Sequence, residues 1–319
     1  MATTLTPDHL AEAPHRPARQ ALARLRSFAV SPQPPPARSA PPLDRALYGF
    51  AQPLLGLRVL LSDPDLLREA LEPALLLAAF CAVVAMVSPG HGTYWVARLK
   101  TFYKVFAALA PVPSIVFARH YARLAAIVRW RLGFGECGPR EQPLGVSVKR
   151  AIQQLVLVSA GAFPFWLLIR AIPFLGTKLA WIVPALWGLH WVVVDAFDDA
   201  RVLHPGETLR DAEAEDRRAP SPWYVRCFLQ AADRIPVAPV ARLLRRFAGT
   251  CDRLSLAWRG EISLMESNRV IALGFSISTA ALLATPVLNL LFRPTIIIAS
   301  AHLLGHIEAK EEPVTTHRQ

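Results

Sequence analysis

The amino-acid sequence predicts an all-helical integral membrane protein, and three features of the chain indicate this fold class. First, 53% of its 319 residues are hydrophobic and 18% are charged, whereas a soluble globular protein carries about 25% charged residues. Second, six apolar stretches contain no charged residue at all. Third, the excess of positive charge lies before and between the first four of these stretches. A soluble protein of this composition would expose large apolar patches, which promote aggregation.

The apolar stretches define the predicted membrane helices. They comprise residues 73–97, 105–118, 151–169, 179–194, 270–292 and 294–305. A helix needs about 20 apolar residues to cross a bilayer, and several of these stretches are shorter. We therefore predict two long transmembrane helices from the first two stretches. The other four form two helical hairpins, which cross the bilayer fully or penetrate only part of it.

The distribution of Lys and Arg predicts how the chain is oriented. Residues 1–194 contain 20 Lys and Arg against 9 Asp and Glu, and the later residues are balanced. Residues 1–72 and 119–150 contain 8 and 7 basic residues, whereas the 88–104 loop contains 3. The positive-inside rule then predicts a multi-pass membrane protein with both termini in the cytoplasm. The basic residues form no recognisable nucleic-acid-binding module, so we predict no nucleic-acid partner.

Composition divides the chain into regions. Residues 1–43 are rich in Pro, Ala and Arg, and we predict a disordered cytoplasmic tail. Residues 44–306 form the predicted membrane domain. Within it, residues 206–268 are polar or amphipathic, which indicates a cytoplasmic helical insertion. Residues 307–319 are predicted to be a polar C-terminal tail.

Three basic residues lie at the predicted turns of the two hairpins. Arg170 and Lys178 flank the first turn and Arg293 lies in the second, and prolines near both turns end the helices. At membrane depth such charges must face water, protein or an ion path; at the interface they extend into water. Both interpretations remain open. The three residues are candidate pore or mouth charges, and cationic turns favour anions.

A short motif before the first long helix suits an anion. Gly56, Leu57 and Arg58 precede the predicted helix start at residues 62–65. A glycine lets the backbone approach a ligand, an arginine offers a planar fork of donors, and a nearby helix N-terminus presents free N–H groups. This combination suits an oxyanion such as sulfate. We therefore identify Gly56, Leu57 and Arg58 as a candidate anion-binding site.

The sequence offers no positive support for catalysis. It contains no set of nucleophile and base, no phosphate-binding loop and no HExxH motif. The four cysteines lack the spacing of a zinc site. We therefore predict that the protein is not an enzyme and holds no metal and no cofactor.

Three stretches give the chain a resemblance to a known family. They are residues 48–66, with Tyr-Gly-Phe and Gly-Leu-Arg; residues 172–176, Ile-Pro-Phe-Leu-Gly; and residues 274–294, with Thr-Pro-Val-Leu-Asn and Arg-Pro. With these motifs the chain resembles the CysZ-type sulfate permeases, which share a domain with the etoposide-induced membrane proteins. The resemblance covers roughly residues 46–306, and its middle part matches only loosely.

The resemblance implies a fold and an activity. The fold is that of an all-helical inner-membrane protein with two long transmembrane helices and two hemi-penetrating hairpins, in a homo-oligomer. The activity is channel-like sulfate uptake for cysteine synthesis without nucleotide hydrolysis. The family's sulfate-binding motif corresponds to Gly56, Leu57 and Arg58. The positions that carry its structural motif are Pro173, Gly176, Pro286, Asn289 and Pro294.

The chain also departs from the family. Asp63 and Asp65 lie close to Arg58 and would repel a divalent anion, the 206–268 insertion is long, and the proline-rich tail is additional. Two functional hypotheses follow. The first is a CysZ-like permease or channel for a small oxyanion, sulfate above all. The alternative is a non-transporting membrane scaffold that binds partners through its cytoplasmic helices.

Overall fold

The computed structural model of the protein describes residues 16–87, 95–108, 116–174, 176–283 and 289–311. Helices make up 82% of the structure, which confirms the all-helical class. The helices are α1 (Arg16–Val30), α2 (Pro42–Ser62), α3 (Pro64–Val87), α4 (Trp95–Ala108), α5 (Ala118–Arg131), α6 (Leu144–Gly161), α7 (Phe163–Arg170), α8 (Gly176–Leu179), α9 (Ile182–Asp199), α10 (Leu209–Arg218), α11 (Trp223–Arg234), α12 (Ala238–Leu254), α13 (Arg259–Ser267), α14 (Arg269–Leu283) and α15 (Asn289–Glu311). Two short strands, β1 (Gly138–Pro139) and β2 (Val202–Leu203), pair in antiparallel register.

Three helical segments of the described residues are long and apolar enough to cross a membrane. They are Pro64–Val87, Leu144–Arg170 and Gly176–Asp199. The first is α3, the second joins α6 to α7, and the third joins α8 to α9. These segments agree with a membrane protein and match the predicted first long helix and the predicted first hairpin.

The start of α3 follows the local chemistry that the sequence indicates. The Asp63 carboxylate accepts hydrogen bonds from the backbone N–H groups of Asp65 and Leu66, at 3.0 and 3.2 Å. Pro64 is the first helical residue, where its missing N–H costs nothing. The predicted helix start is therefore confirmed, and the Asp63 side chain satisfies two of the free N–H groups of α3.

The spans expose apolar side chains rather than polar ones. On α3, Phe80 and Met86 are 55% and 60% exposed, and on α6 Ile152 and Leu155 are 58% and 68% exposed. In water each such side chain would forgo about 1.5–3 kcal/mol of burial. Surfaces of this kind fit a lipid environment, in which apolar side chains face hydrocarbon.

Helix α2 is the central packing element. A Cβ atom at Gly49 would lie 2.0 Å from the Ile271 carbonyl oxygen, and one at Gly274 would lie 2.0 Å from that of Ala46. The backbones of α2 and α14 therefore touch, a contact that only small residues permit. Buried apolar residues occur along both helices.

The insertion packs along one face of the first hairpin. The Phe165 ring of α7 stacks on Phe228 of α11 with centroids 5.0 Å apart, and Trp187 of α9 meets Tyr224 at 5.0 Å. At the other end of the hairpin, the Arg150 guanidinium lies 5.3 Å from the Trp258 ring. The predicted helical insertion is confirmed as helical, and it covers one side of the hairpin while α6 keeps its apolar residues exposed.

Both predicted tails need correction. Residues 16–30 form α1, which packs on α2, and the Phe28 and Tyr48 rings meet edge to face at 5.4 Å. The predicted disorder is therefore wrong for α1. At the other end, α15 continues through Glu311, and Ile307 is buried. Residues 307 and 308 thus belong to the packed domain; residues 1–15 and 312–319 lie outside the described residues.

The second predicted long helix and the second predicted hairpin differ from the structure in detail. Helices α4 and α5 are separate, and residues 109–115 between them lie outside the described residues, so a single span there stays a prediction. Helix α14 packs chiefly on α2 rather than on α15. Pro294 lies inside α15, which begins at Asn289, so the predicted break at this proline is wrong; Pro286 lies outside the described residues.

Candidate functional site

A cluster of charged residues lies at the carboxyl end of the apolar helix α9. One terminal nitrogen of Arg293 reaches Asp195 and Asp199, at 2.8 and 2.6 Å. Arg150 of α6 donates to Asp198 at 2.8 Å and to the Ala257 carbonyl oxygen at 2.8 Å. Ionisable residues beside an apolar span face water or pair with one another, and such residues are candidate functional sites.

The position of Arg293 corrects a prediction. Arg293 was expected at the turn of the second hairpin, as a mouth charge like Arg170 and Lys178. It lies instead beside the last turn of α9, whereas Arg170 and Lys178 lie before the amino end of that helix. About 13 helical residues separate Ile182 from Asp195, which corresponds to about 20 Å. Arg293 therefore belongs to a different site from the two basic residues of the first turn.

A small polar cavity adjoins this cluster. Its volume is about 70 Å³, and its walls carry three arginines and three aspartates. The residues that line it are Ala118, Ala122, Arg140, Gln142, Ser147, Arg150, Ala151, Gln154, Asp195, Asp198, Asp199, Arg201 and Trp258. The Nε–H groups of Arg140 and Arg150 are buried and have no hydrogen-bond partner among the described residues. The cavity therefore combines balanced charge with two free N–H donors.

A second group of ion pairs continues from the cavity into the insertion. Arg201 contacts three carboxylates: Asp216 at 2.6 Å, Glu261 at 3.2 Å and Glu308 at 3.0 Å. Arg140 also binds Asp216, at 2.6 Å, and Arg129 binds Glu308. We call Arg129, Arg140, Arg201, Asp216, Glu261 and Glu308 the arginine–carboxylate network. It joins α5, the β1–β2 region, α10, α13 and α15.

The network is largely buried, and the pKa values of two of its acids shift in opposite directions. Burial and the nearby Asp216 carboxylate raise the pKa of Glu261 to about 7, although Arg201 and Arg140 act against this. Burial alone would raise the pKa of Asp216, but the guanidiniums of Arg201 and Arg140 hold it below its ordinary value. Glu261 is therefore the network's proton-accepting member near neutral pH, while Asp216 stays ionised.

The predicted anion motif lies inside a helix. Gly56, Leu57 and Arg58 belong to α2, and a Cβ atom at Gly56 would lie 2.4 Å from the Thr295 carbonyl oxygen. The close approach at Gly56 is thus made by α15. The Arg58 side chain is exposed, and no ion pair of Arg58 occurs among the described residues.

The surroundings of this motif bear on anion binding. The free N–H groups of the next helix are partly taken by Asp63, and Arg131 pairs with both Asp63 and Asp65, the latter at 3.0 Å. Arg131 therefore offsets the two acids that were expected to repel a dianion. Sulfate binding at Gly56, Leu57 and Arg58 stays a prediction.

The turn of the first hairpin carries the other candidate charges. Arg170 lies over the Trp166 ring at 4.9 Å and is exposed, as is Lys178. Phe174 adopts a positive φ of 64° and is 99% exposed. A Cβ atom at Gly176 would lie 2.5 Å from the Ile169 carbonyl oxygen, so the turn after Pro173 closes tightly. Arg170, Lys178, Pro173 and Gly176 thus lie together at this turn.

Sequence reasoning missed both groups of ion pairs. It gave no role to Arg150 or Arg201. The partners are 15 to 179 residues apart in the chain, so no local spacing could reveal them. The one available signal was the run of three aspartates directly after an apolar stretch, which requires partners somewhere.

Comparisons with known proteins identify no relative. No family model matches the chain, and neither a curated protein nor a solved structure is similar to it.

Proposed function

We propose that the protein is an integral membrane protein that lets a small oxyanion, sulfate above all, cross the inner membrane without nucleotide hydrolysis. The observation that carries this proposal is the polar cavity between α6 and α9. It lies at one end of two candidate spans, and three guanidinium groups line it. Two of these arginines retain free N–H donors. The planar guanidinium of arginine presents a fork of donors that suits two oxygens of one oxyanion.

The charge balance of the cavity is compatible with a dianion. Each aspartate in its wall is paired with an arginine: Asp198 with Arg150, and the other two with Arg293. A passing oxyanion therefore meets paired carboxylates and free N–H donors. Weak binding of this kind suits conduction, because an ion that is held too tightly does not leave.

The proposed topology places the first hairpin only part of the way through the bilayer. Its two segments are long enough to cross, but the insertion covers one face, through Trp258 at Arg150 and through α11 at Phe165. Helix α12 exposes Arg242, Arg245 and Arg246, and arginines at the bilayer centre are costly. A hairpin that penetrates from the cytoplasmic side keeps this insertion in the interface. Both termini are then cytoplasmic.

Flux into liposomes tests the proposal. The purified protein, reconstituted into liposomes, is expected to take up radiolabelled sulfate above empty liposomes, and Arg58→Ala and Arg150→Lys each lower the rate. Arg150→Lys keeps the positive charge but removes the Nε–H donor, so it separates donor geometry from charge. Arg210→Ala, at an exposed arginine of α10, is the matched control. Uptake equal to that of empty liposomes under several ionic conditions would refute the permease.

A second candidate function, a non-transporting membrane scaffold, is favoured by one surface. The turn between α11 and α12 exposes residues 236–240, Pro-Val-Ala-Pro-Val, beside Leu243, which is 69% exposed. Exposed apolar residues on a basic helix suit a protein partner. The scaffold predicts no sulfate flux and predicts co-purification of a partner that Leu243→Ser abolishes.

A further inference from the structure

A groove runs between α9 and α14 and changes from apolar to polar along its length. Its apolar part has a volume of about 150 Å³. It is lined mainly by Leu186, Leu189 and Val193 of α9 and by Ala272 and Leu273 of α14. The polar part has a volume of about 370 Å³ and includes Arg226 and Gln230 of α11. Met265 and Arg269 line both parts, so the two parts adjoin.

The polar end carries one unbalanced positive charge. Arg226 is paired with Glu266. Arg269 donates its Nε–H to the backbone carbonyl oxygen of Glu266 at 3.1 Å, and no ion pair of Arg269 occurs among the described residues. Its guanidinium is exposed at the start of α14. This end of the groove therefore offers a cationic fork that complements a phosphate.

The apolar end is positioned for a hydrocarbon chain. One wall is α9, part of the candidate span Gly176–Asp199. Leu186 and Leu273 are 57% and 50% exposed. The groove is therefore open on the side that would face lipid if this segment spans a membrane. His190 also lines it, and its buried Nε2 atom has no hydrogen-bond partner among the described residues. A polar atom in an otherwise apolar groove suits a ligand with a polar group between headgroup and chain.

We propose that this groove binds one anionic glycerophospholipid. The phosphate lies at Arg269, one acyl chain lies between α9 and α14, and the ester region faces His190. The lining of the groove selects this occupant, because a free phosphate would fill only the polar part and a fatty acid would bring no ester group to His190. The proposal depends on the protein being embedded in a bilayer and does not depend on sulfate transport.

Native mass spectrometry of the full-length protein in detergent tests the proposal. Titration with palmitoyl-oleoyl phosphatidylglycerol is expected to show one saturable lipid. Dioleoylglycerol, which lacks the phosphate, binds at least about tenfold more weakly, the loss expected for a charge-assisted hydrogen bond. Palmitoyl-oleoyl phosphatidylcholine binds more weakly than phosphatidylglycerol because its choline offsets the phosphate charge. Equal affinities for the three lipids would overturn the proposal, and this comparison needs no variant.

Two substitutions locate the site. Arg269→Gln is expected to lower phosphatidylglycerol affinity about tenfold and to leave dioleoylglycerol affinity unchanged. Leu273→Trp fills the apolar part and weakens both lipids. Arg210→Gln and Leu243→Trp, at exposed positions outside the groove, are the matched controls and bind as the unmodified protein does. Phosphatidylglycerol affinity that is unaffected by Arg269→Gln and Leu273→Trp contradicts the proposal. Loss of sulfate flux in an otherwise lipid-binding protein would refute only the permease.

Discussion

At the carboxyl end of α9 charged side chains lie half-buried in ion pairs, whereas along α3 and α6 apolar side chains lie exposed. The charged side chain of Arg201 is only 20% exposed and contacts three carboxylates. The apolar side chain of Leu155 is 68% exposed. Each region reverses the pattern of a soluble protein, in which charges face water and apolar groups are buried. Both features are explained if the spans face lipid and the ion pairs hold the helical insertion against the spans.

The largest expected effect comes from the centre of the arginine–carboxylate network. Arg201→Gln leaves Glu261 and Asp216 with one arginine fewer in a buried site. Removing one partner of a buried ion pair costs about 3–5 kcal/mol, so we expect a loss of this size in thermal unfolding of the detergent-solubilised protein. Arg210→Gln, at an exposed arginine nearby in the chain, is the control with no expected loss. An unchanged melting temperature for Arg201→Gln would show that the network does not join the insertion to the spans.

A packing substitution tests the α2–α14 contact next. Gly49→Ala places a Cβ atom 2.0 Å from the Ile271 carbonyl oxygen, and backbone cannot yield as a side chain does. We expect destabilisation of about 1–3 kcal/mol or more, the usual cost of overpacking. Gly188→Ala in α9 is the matched control, since a Cβ there meets nothing within 4 Å, and alanine in a helix gains about 0.5–1 kcal/mol over glycine. Equal effects of the two substitutions would contradict the packing described for α2.

The pH dependence of stability distinguishes the two acids of the network. Because the pKa of Glu261 rises from 4.5 to about 7 on folding, the folded state retains a proton that the unfolded state releases between these values. The contribution of this proton is present below pH 4.5 and is lost as pH rises to about 7. We expect Glu261→Gln to weaken the decline in melting temperature across this range. The lowered pKa of Asp216 changes the stability only as the pH falls below the ordinary pKa of an aspartate, about 3.8. It therefore does not affect the stability between pH 4.5 and 7. If the melting temperatures of the unmodified protein and Glu261→Gln declined equally over this pH range, Glu261 would not be the group that retains the proton.

The smallest effect is expected at the exposed turn. Arg170 contacts the Trp166 ring at 4.9 Å but no carboxylate among the described residues. An exposed cation–π contact contributes about 0.5–1 kcal/mol, so Arg170→Gln should change stability by no more than this. The change from Arg to Gln at Arg201 and at Arg170 thus compares an arginine within the network with an exposed arginine. A loss at Arg170 as large as that at Arg201 would show that the turn is packed against something else.

The sequence predicts the local features of this protein and misses most of the long-range ones. The start of α3 follows from Asp63 and Pro64, because caps are formed by neighbouring residues. The three apolar spans also follow from the sequence, because each is a continuous stretch of mostly apolar residues. The ion pairs of Arg150, Arg201 and Arg293 join residues far apart in the chain, and charge alone does not say which acid each arginine meets. Sequence reasoning for this reason puts Arg293 at the turn of the second hairpin and does not pair it with Asp195 and Asp199.

The central claim is that the exposed apolar faces of the spans contact lipid, and nitroxide accessibility measures this directly. Labels at Phe80→Cys and Leu155→Cys, in a Cys227→Ser background and in lipid nanodiscs, are expected to collide more with dissolved oxygen than with a water-soluble nickel complex. A label at Arg210→Cys on the insertion is expected to show the reverse. Nickel accessibility at positions 80 and 155 equal to that at position 210 would contradict the account.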